Sequence, residues 1–260
     1  MPGDTDGREP GANRLDDRLI ERCEDIPERP DPGDYVVVDT LHFSNTVIEL
    51  LANGAAHVHV TDARGEEFAY RAANPRAVIG GASTDEDEPT PGYDFFNSPS
   101  YVQRLDVAGR PVSMTSSNGG RAVAALRARS GDDVTVYVGS PMNAAALGAH
   151  LRERDRPTHL VSAGSGGEIA VEDHVGATLV SRYVDGVPVA ETELDLFRRQ
   201  LATAKSSDYL DGHELRRRDV REYAMNVNSR TVLPRLAGDA LVDASRETDR
   251  AGRTDRLNLQ

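Results

Sequence analysis

A chain of 260 residues is long enough for a substantial core, and its balance is acidic, with 43 Asp and Glu against 30 Lys and Arg and a formal net charge of −13. That excludes nucleic acid as the main partner, because phosphate-backbone binding needs a basic stripe. No apolar run approaches the ~20 residues that span a bilayer, so no membrane partner is expected.

Lys205 is the only lysine. GC-rich coding exchanges Lys for Arg but leaves the acidic excess unexplained, so the composition points to a halophilic cytoplasm in which salt screens like charges. Cys23 is the sole cysteine, which rules out an internal disulfide. The N-terminus lacks an apolar h-region, so no secretory signal is expected and the reading is cytoplasmic.

Residues 1–33 read as a flexible acidic, Pro- and Gly-rich tail with one short helix near Leu15–Cys23. The α/β domain then runs from 34 to 236, as one unit or two close-packed halves. Tyr35–Val38 is a buried strand candidate, and Ser44–Ala52 a helix stopped by Asn53-Gly54. His57–Val60 and Ala77–Ile79 are short strands, Thr84–Thr90 is a solvated acidic loop, and three strand–turn–helix units follow at 112–130, 134–154 and 159–183. Val187–Val189 is a short strand or part of a turn. Glu191–Ala204 and His213–Tyr223 are helical, Val232–Pro234 closes the domain, and 237–260 is a charged tail. Alternating strands and helices predict an α/β fold, a three-layer α/β/α arrangement with a mainly parallel or mixed central sheet.

The strand ends repeat one theme, small polar residues before a helix, which suits an anion at the C-terminal edge of a sheet. Asp39 ends the first strand and has two readings, a Mg²⁺ ligand or an organiser of its turn. Glu172-Asp173 opens a helix, where acidic residues favour the helix dipole or reach a metal. Asn45, Asn97, Asn118 and Asn143 sit at similar boundaries and either cap helices or donate amides to phosphate, as Ser116, Ser117 and Ser140 do with their hydroxyls. Arg121, in the first turn of a helix, is unfavourable there without an anion nearby. There is no Walker loop, G-x-S-x-G elbow, H-E-x-x-H or zinc-spaced Cys/His set.

Five segments in order carry a resemblance: Asp39-Thr-Leu-His-Phe-Ser-Asn-Thr46, Tyr93-Asp-Phe-Phe-Asn-Ser-Pro99, Ser116-Ser-Asn-Gly-Gly-Arg-Ala122, Gly139-Ser-Pro-Met-Asn-Ala144 and Gly164-Ser-Gly-Gly-Glu-Ile-Ala-Val-Glu-Asp173. Over about 35–236 the chain resembles the 2-phosphosulfolactate phosphatase family. The resemblance implies an enzyme of coenzyme M biosynthesis that uses Mg²⁺ to hydrolyse 2-phospho-3-sulfolactate, or a related phosphorylated hydroxy acid, to the alcohol and phosphate. On that reading Asp39 holds the metal with one or both of Glu172 and Asp173. Asn45, Thr46, Asn97, Ser98, Ser117, Asn118, Gly119, Arg121 and Asn143 surround the small phosphorylated organic acid, and Asp39, Asp94 and His42 are the catalytic candidates. A homo-oligomer stays open.

The chain departs from the family pattern where His42 replaces an Arg, where Ser44 and Asn45 replace two Thr, around Gly81-Ala82-Ser83, and at Phe96 in place of a Gly. These departures keep a second reading open, a catalytically degenerate member that binds a small anion.

Overall fold

The computed structural model describes residues 15–81 and 87–246. Ala82, Ser83 and the first part of the acidic loop fall outside them, as do residues 1–14 and 247–260 of the two expected tails.

Gly33–Val38 forms β2, and all six of its residues are buried. It lies between two parallel neighbours, β7 (Thr158–Ser162) and β6 (Val134–Gly139). A strand covered on both faces needs a continuous apolar run, which Tyr35–Val38 supplies. Because side chains alternate along a strand, Tyr35 and Val37 enter one core with Val47, Leu50 and Leu126, while Val36 and Val38 enter the other with Leu147, Leu179 and Val180. Each fully buried Val contributes about 1.5–3 kcal/mol.

The first core is covered by α2 (Phe43–Ala52) and α5 (Gly119–Arg129), and the second by α6 (Ala144–Arg154), α7 (Val171–Val184) and α8 (Glu191–Ala202). The result is the expected three-layer α/β/α fold. Smaller helices are α1 (Leu15–Arg18), α3 (Glu66–Ala73), α4 (Pro99–Val102), α9 (Ser207–Leu210) and α10 (Glu214–Arg218), the last running into a π-helical segment at Asp219–Ala224. No helix among the described residues is long and apolar enough to cross a membrane.

The sheet has nine strands in the order β1-β7-β2-β6-β8-β9-β3-β5-β4, where β1 is Leu19–Ile20, β3 His57–Val60, β4 Val78–Gly80, β5 Pro111–Met114, β8 Pro234–Ala237 and β9 Ala240–Asp243. It contains two parallel blocks, β1-β7-β2-β6 and β3-β5-β4. Between them stands the β8–β9 hairpin, antiparallel to each neighbour. Three successive antiparallel steps make the two blocks run in opposite senses.

Both sequence-expected tails reach into this fold. Leu19 and Ile20 pair with Leu160 and Val161, and Cys23 and Ile26 are buried in the first core, so the chain is structured well before residue 34. At the other end, residues 237–243 belong to the hairpin, and Leu241 is fully buried. Short apolar pairs inside charged surroundings gave no periodicity to read. Val187–Val189 is a connection without strand pairing.

Candidate active site

The chain leaves β2 at Asp39 and turns at once into α2. Asp39 donates its N–H to Ser44 Oγ (2.9 Å), accepts weakly at Oδ1 from the Phe43 N–H (3.4 Å), and accepts at Oδ2 from the Gly119 N–H (2.8 Å). One carboxylate therefore caps α2 and also receives the first amide of α5, from the other parallel block.

That approach requires a residue without a side chain. A Cβ on Gly119 would stand 2.4 Å from Phe43 Cδ1 and 2.8 Å from Asp39 Oδ2. We expect Gly119→Ala to cost about 1–3 kcal/mol, the usual range for overpacking a core, and to lower kcat at least ~10-fold by displacing Asp39. A thermal melt and a steady-state assay of the variant check both; unchanged values in both would refute the account of this contact.

Asp39 is 4% exposed. Burial is the main cause that raises its pKa to about 6; the Gly119 and Phe43 amides oppose the rise, the charge of Glu172 adds to it, and Lys205 opposes it. Asp173, in the first turn of α7, accepts from the Thr40 N–H at Oδ1 (2.8 Å) and from the Gly164 N–H at Oδ2 (3.1 Å). Burial again comes first in holding it well above the usual carboxylate range, followed by the charges of Asp39 and Glu172. Glu172 is ion-paired with Lys205 Nζ at 2.5 Å.

Three carboxylates thus share one buried region with one ammonium. Excess negative charge of this kind favours a divalent cation, and Mg²⁺ is commonly held by one or two carboxylates with waters and substrate phosphate completing its shell. No group of three His, Cys, Asp or Glu among the described residues is arranged as a metal cage. Of these three carboxylates only Asp39 lines a cavity, so it is the one that would hold an Mg²⁺ there.

Asp39 lies at the floor of a cavity of about 510 Å³. Its wall comes largely from loops that follow strand C-termini: His42 after β2, Arg64 after β3, Asn97 after β4, the run Thr115–Asn118 after β5, and Ser165 after β7, with Lys205 and Tyr209 completing it from the α8–α9 region. Although the blocks run in opposite senses, their C-terminal ends converge here, where ligands bind in open α/β sheets. The cavity is rich in hydroxyl and amide groups. Asn97 Oδ1 is buried without a partner, and Asn118 Oδ1 accepts from the Gly166 N–H (3.4 Å).

With this geometry established, the sequence model for 2-phosphosulpholactate phosphatase matches residues 20–237. The chain belongs to the 2-phosphosulpholactate phosphatase family. A "probable 2-phosphosulfolactate phosphatase" of Symbiobacterium thermophilum is 32% identical over 170 residues, covering 64% of this chain and 70% of the relative. Proteins of the same description from Deinococcus radiodurans (30% identical, 63% and 66% covered) and Carboxydothermus hydrogenoformans (29% identical, 55% and 56% covered) also match. The chain thus aligns with between 56% and 70% of these relatives' own length.

In this family member the structure brings together at the cavity Asp39, His42, Asn97, Ser117, Asn118 and Arg121 from the sequence-predicted set, with Gly119 directly beneath Asp39. Arg121 also forms a salt bridge with Glu24, which satisfies part of its charge.

Other members of the set do not line the cavity, and most of their polar atoms are engaged in the fold, although Asn45 Oδ1 is buried without a partner. Asp94 is exposed, pairs with Arg71 and accepts from the Ile79 N–H (2.9 Å), so it ties down β4. Asn45 donates to the Thr40 carbonyl (2.8 Å) and Thr46 to the His42 carbonyl (2.9 Å). Ser98 caps α4 and donates to Asp219 (3.0 Å). Asn143 closes a capping box with Ser140 and donates to the Val232 carbonyl (3.0 Å). Asp173, which like Asp39 accepts at both oxygens from backbone amides, differs from it in not lining the cavity. Lys205, Tyr209, Arg64 and Thr115 line the cavity without having been singled out as site residues. The one available signal was the uniqueness of Lys205 among thirty fixed cations.

Proposed function

We propose that this cavity hydrolyses a small phosphate monoester of the 2-phosphosulfolactate type, giving the hydroxy acid and inorganic phosphate, with Mg²⁺ as cofactor. The observation that carries the reading is the undercompensated Asp39 carboxylate, buried at the floor of a hydroxyl- and amide-lined cavity in a chain of this family. Mg²⁺ bound at Asp39 would supply Lewis-acid polarisation of the phosphoryl group.

The chain's own residues then position the ester. Ser116, Ser117, Asn118 and Asn97 offer neutral hydrogen-bond donors to phosphate oxygens without the cost of desolvating a full charge. Lys205 brings an ammonium whose position is fixed by Glu172, and Arg64 and Arg121 stand at the wall to attract an anion. Coenzyme M biosynthesis, in a cytoplasm of high salt, is the setting this substrate and the −13 charge support.

A second reading is favoured by one specific observation: Lys205 and Arg121 are already paired with Glu172 and Glu24, which suits a protein that binds a small anion without turning it over. A phosphate-release panel separates the two. With Mg²⁺ and molar KCl, 2-phospho-3-sulfolactate, 2-phospholactate and 2-phosphoglycerate should all be hydrolysed, the sulfonated ester with the highest kcat/KM. Saturable binding by calorimetry with no phosphate released from any of them would establish the second reading instead.

A further inference from the structure

Three side chains outside the metal and phosphate positions stand in line beside the cavity. His42 Nε2 is 2.5 Å from the Tyr209 hydroxyl, and His42 Nδ1 is 3.4 Å from Asp219 Oδ2. His42 is 7% exposed and Asp219 0%. Asp219 Oδ1 is held by Ser98 Oγ (3.0 Å) and the Ser100 N–H (2.9 Å), whereas its Oδ2 and His42 Nδ1 are both buried with no other hydrogen-bond partner. Asp219 begins the π-helical segment, a distortion that frequently marks functional sites. Both His42 and Tyr209 line the cavity.

We propose that Tyr209, His42 and Asp219 form a proton relay that activates the attacking water, with Tyr209 as the group that touches the water and His42 and Asp219 as positioning and proton-holding residues behind it. The inference rests on the phosphatase reading of the cavity.

The direction of the relay follows from donor and acceptor chemistry. A carboxylate only accepts, so the Asp219 oxygen facing Nδ1 keeps the ring proton there. Nε2 then presents a lone pair and accepts from the Tyr209 O–H. The phenol oxygen is left with lone pairs to receive a proton from water. In the reaction the water oxygen bonds to phosphorus as the ester P–O bond breaks, while one water proton passes to Tyr209 and the phenol proton passes to Nε2. The imidazolium so formed faces Asp219 and returns its proton to solvent through Tyr209, and the departing alkoxide takes a proton from solvent water.

A gap of 3.4 Å is longer than a formed hydrogen bond, as is common before substrate binds. Burial is the leading influence on both rings, lowering the pKa of His42 and raising that of Tyr209 to about 12. The phenol therefore stays protonated at neutral pH and acts as a conduit. The charges facing His42 are Asp219 and Glu172, which favour its cation, and Lys205 and Arg216, which oppose it. Arg216 also lies 4.6 Å from the centre of the Tyr209 ring, where it fixes the ring's position.

The test compares wild type with Tyr209→Phe and His42→Gln on 4-nitrophenyl phosphate and on 2-phospholactate. A relay to water predicts a fall in kcat of ~10²-fold for both variants on both esters, with KM within about 3-fold. It also predicts a solvent deuterium isotope effect on wild-type kcat on the order of 2 that falls to near 1 in both variants, a readout that merely structural damage would leave in place. Loss confined to 2-phospholactate would overturn the proposal by placing the relay at the leaving oxygen. Unchanged kcat in either variant, or an isotope effect that survives, would also overturn it. Absence of phosphate release by wild type from both esters would instead end the phosphatase reading, and the relay with it.

Discussion

Asp39→Asn is expected to abolish phosphate release, by at least ~10³-fold, and at neutral pH to leave the metal-free protein more stable than wild type. The first half follows from removing the buried carboxylate of the cavity that would carry Mg²⁺. The second follows from the environment of that carboxylate. Its pKa is raised from 3.8 unfolded to about 6 folded, mainly by burial. Between those values the folded state holds the proton more tightly than the unfolded chain, so stability falls as pH rises through the window of about 4 to 6.

A shift of about two units corresponds to a cost of ~3 kcal/mol, present in full above pH 6 and absent below pH 4. Asn carries no charge to desolvate, but it gives up one acceptor toward the Phe43 and Gly119 amides, so the net gain should be about 1–3 kcal/mol at pH 7. For a domain of this size that is a rise in Tm of about 2–6 °C, which should vanish at pH 4. Saturating Mg²⁺ should narrow the gap by stabilising wild type alone. A variant that melts below wild type at pH 7, or that still turns over, would show that Asp39 serves the turn and not the site.

A chain ended after Leu233 is expected not to fold. The deletion removes β8 and β9, which sit in mid-sheet and make the β-pairings between the two parallel blocks. Without them β6 and β3 are left as open edges, a geometry that favours aggregation, and the buried Leu241 and Ala240 no longer fill the core between them. Leu241→Asp in the full chain tests the same point by burying an unpaired charge at a 0%-exposed site, and should cost at least ~4 kcal/mol. Circular dichroism and urea melts measure both. A cooperative transition near the wild-type midpoint in either variant would show that the hairpin is peripheral.

The hairpin also marks where the sequence stopped being legible. Its strands are four residues each, carry Arg235 and Asp243, and lie in Asp/Arg-rich surroundings. The partners that make them strands are nearly 100 residues away on β6 and nearly 200 away on β3, so no local pattern announces them. Leu19–Ile20 was lost for the same reason. By contrast Tyr35–Val38, His57–Val60 and the three strand–turn–helix units were readable because their burial is written locally, as continuous or alternating apolar runs.

The site divides in the same way. Asp39, Asn118 and Gly119 lie at strand-to-helix corners, which always face the sheet edge, so their position was visible in one dimension. Whether a corner Asn faces the ligand or its own turn was not visible. Asn97 and Asn143 share a sequence setting, yet one leaves an oxygen unpartnered at the cavity and the other is consumed by a capping box. Lys205 and Tyr209 come from a segment after α8 that has no strand before it, so the corner rule could not find them.

The claim that this cavity is a metal-assisted phosphatase centre is tested most directly by phosphate release from 2-phospho-3-sulfolactate before and after chelation. The account predicts steady turnover with Mg²⁺, loss of it in EDTA, and recovery when excess Mg²⁺ is restored. Turnover that continues unchanged in EDTA, or saturable binding of the ester with no phosphate released in Mg²⁺, would contradict it.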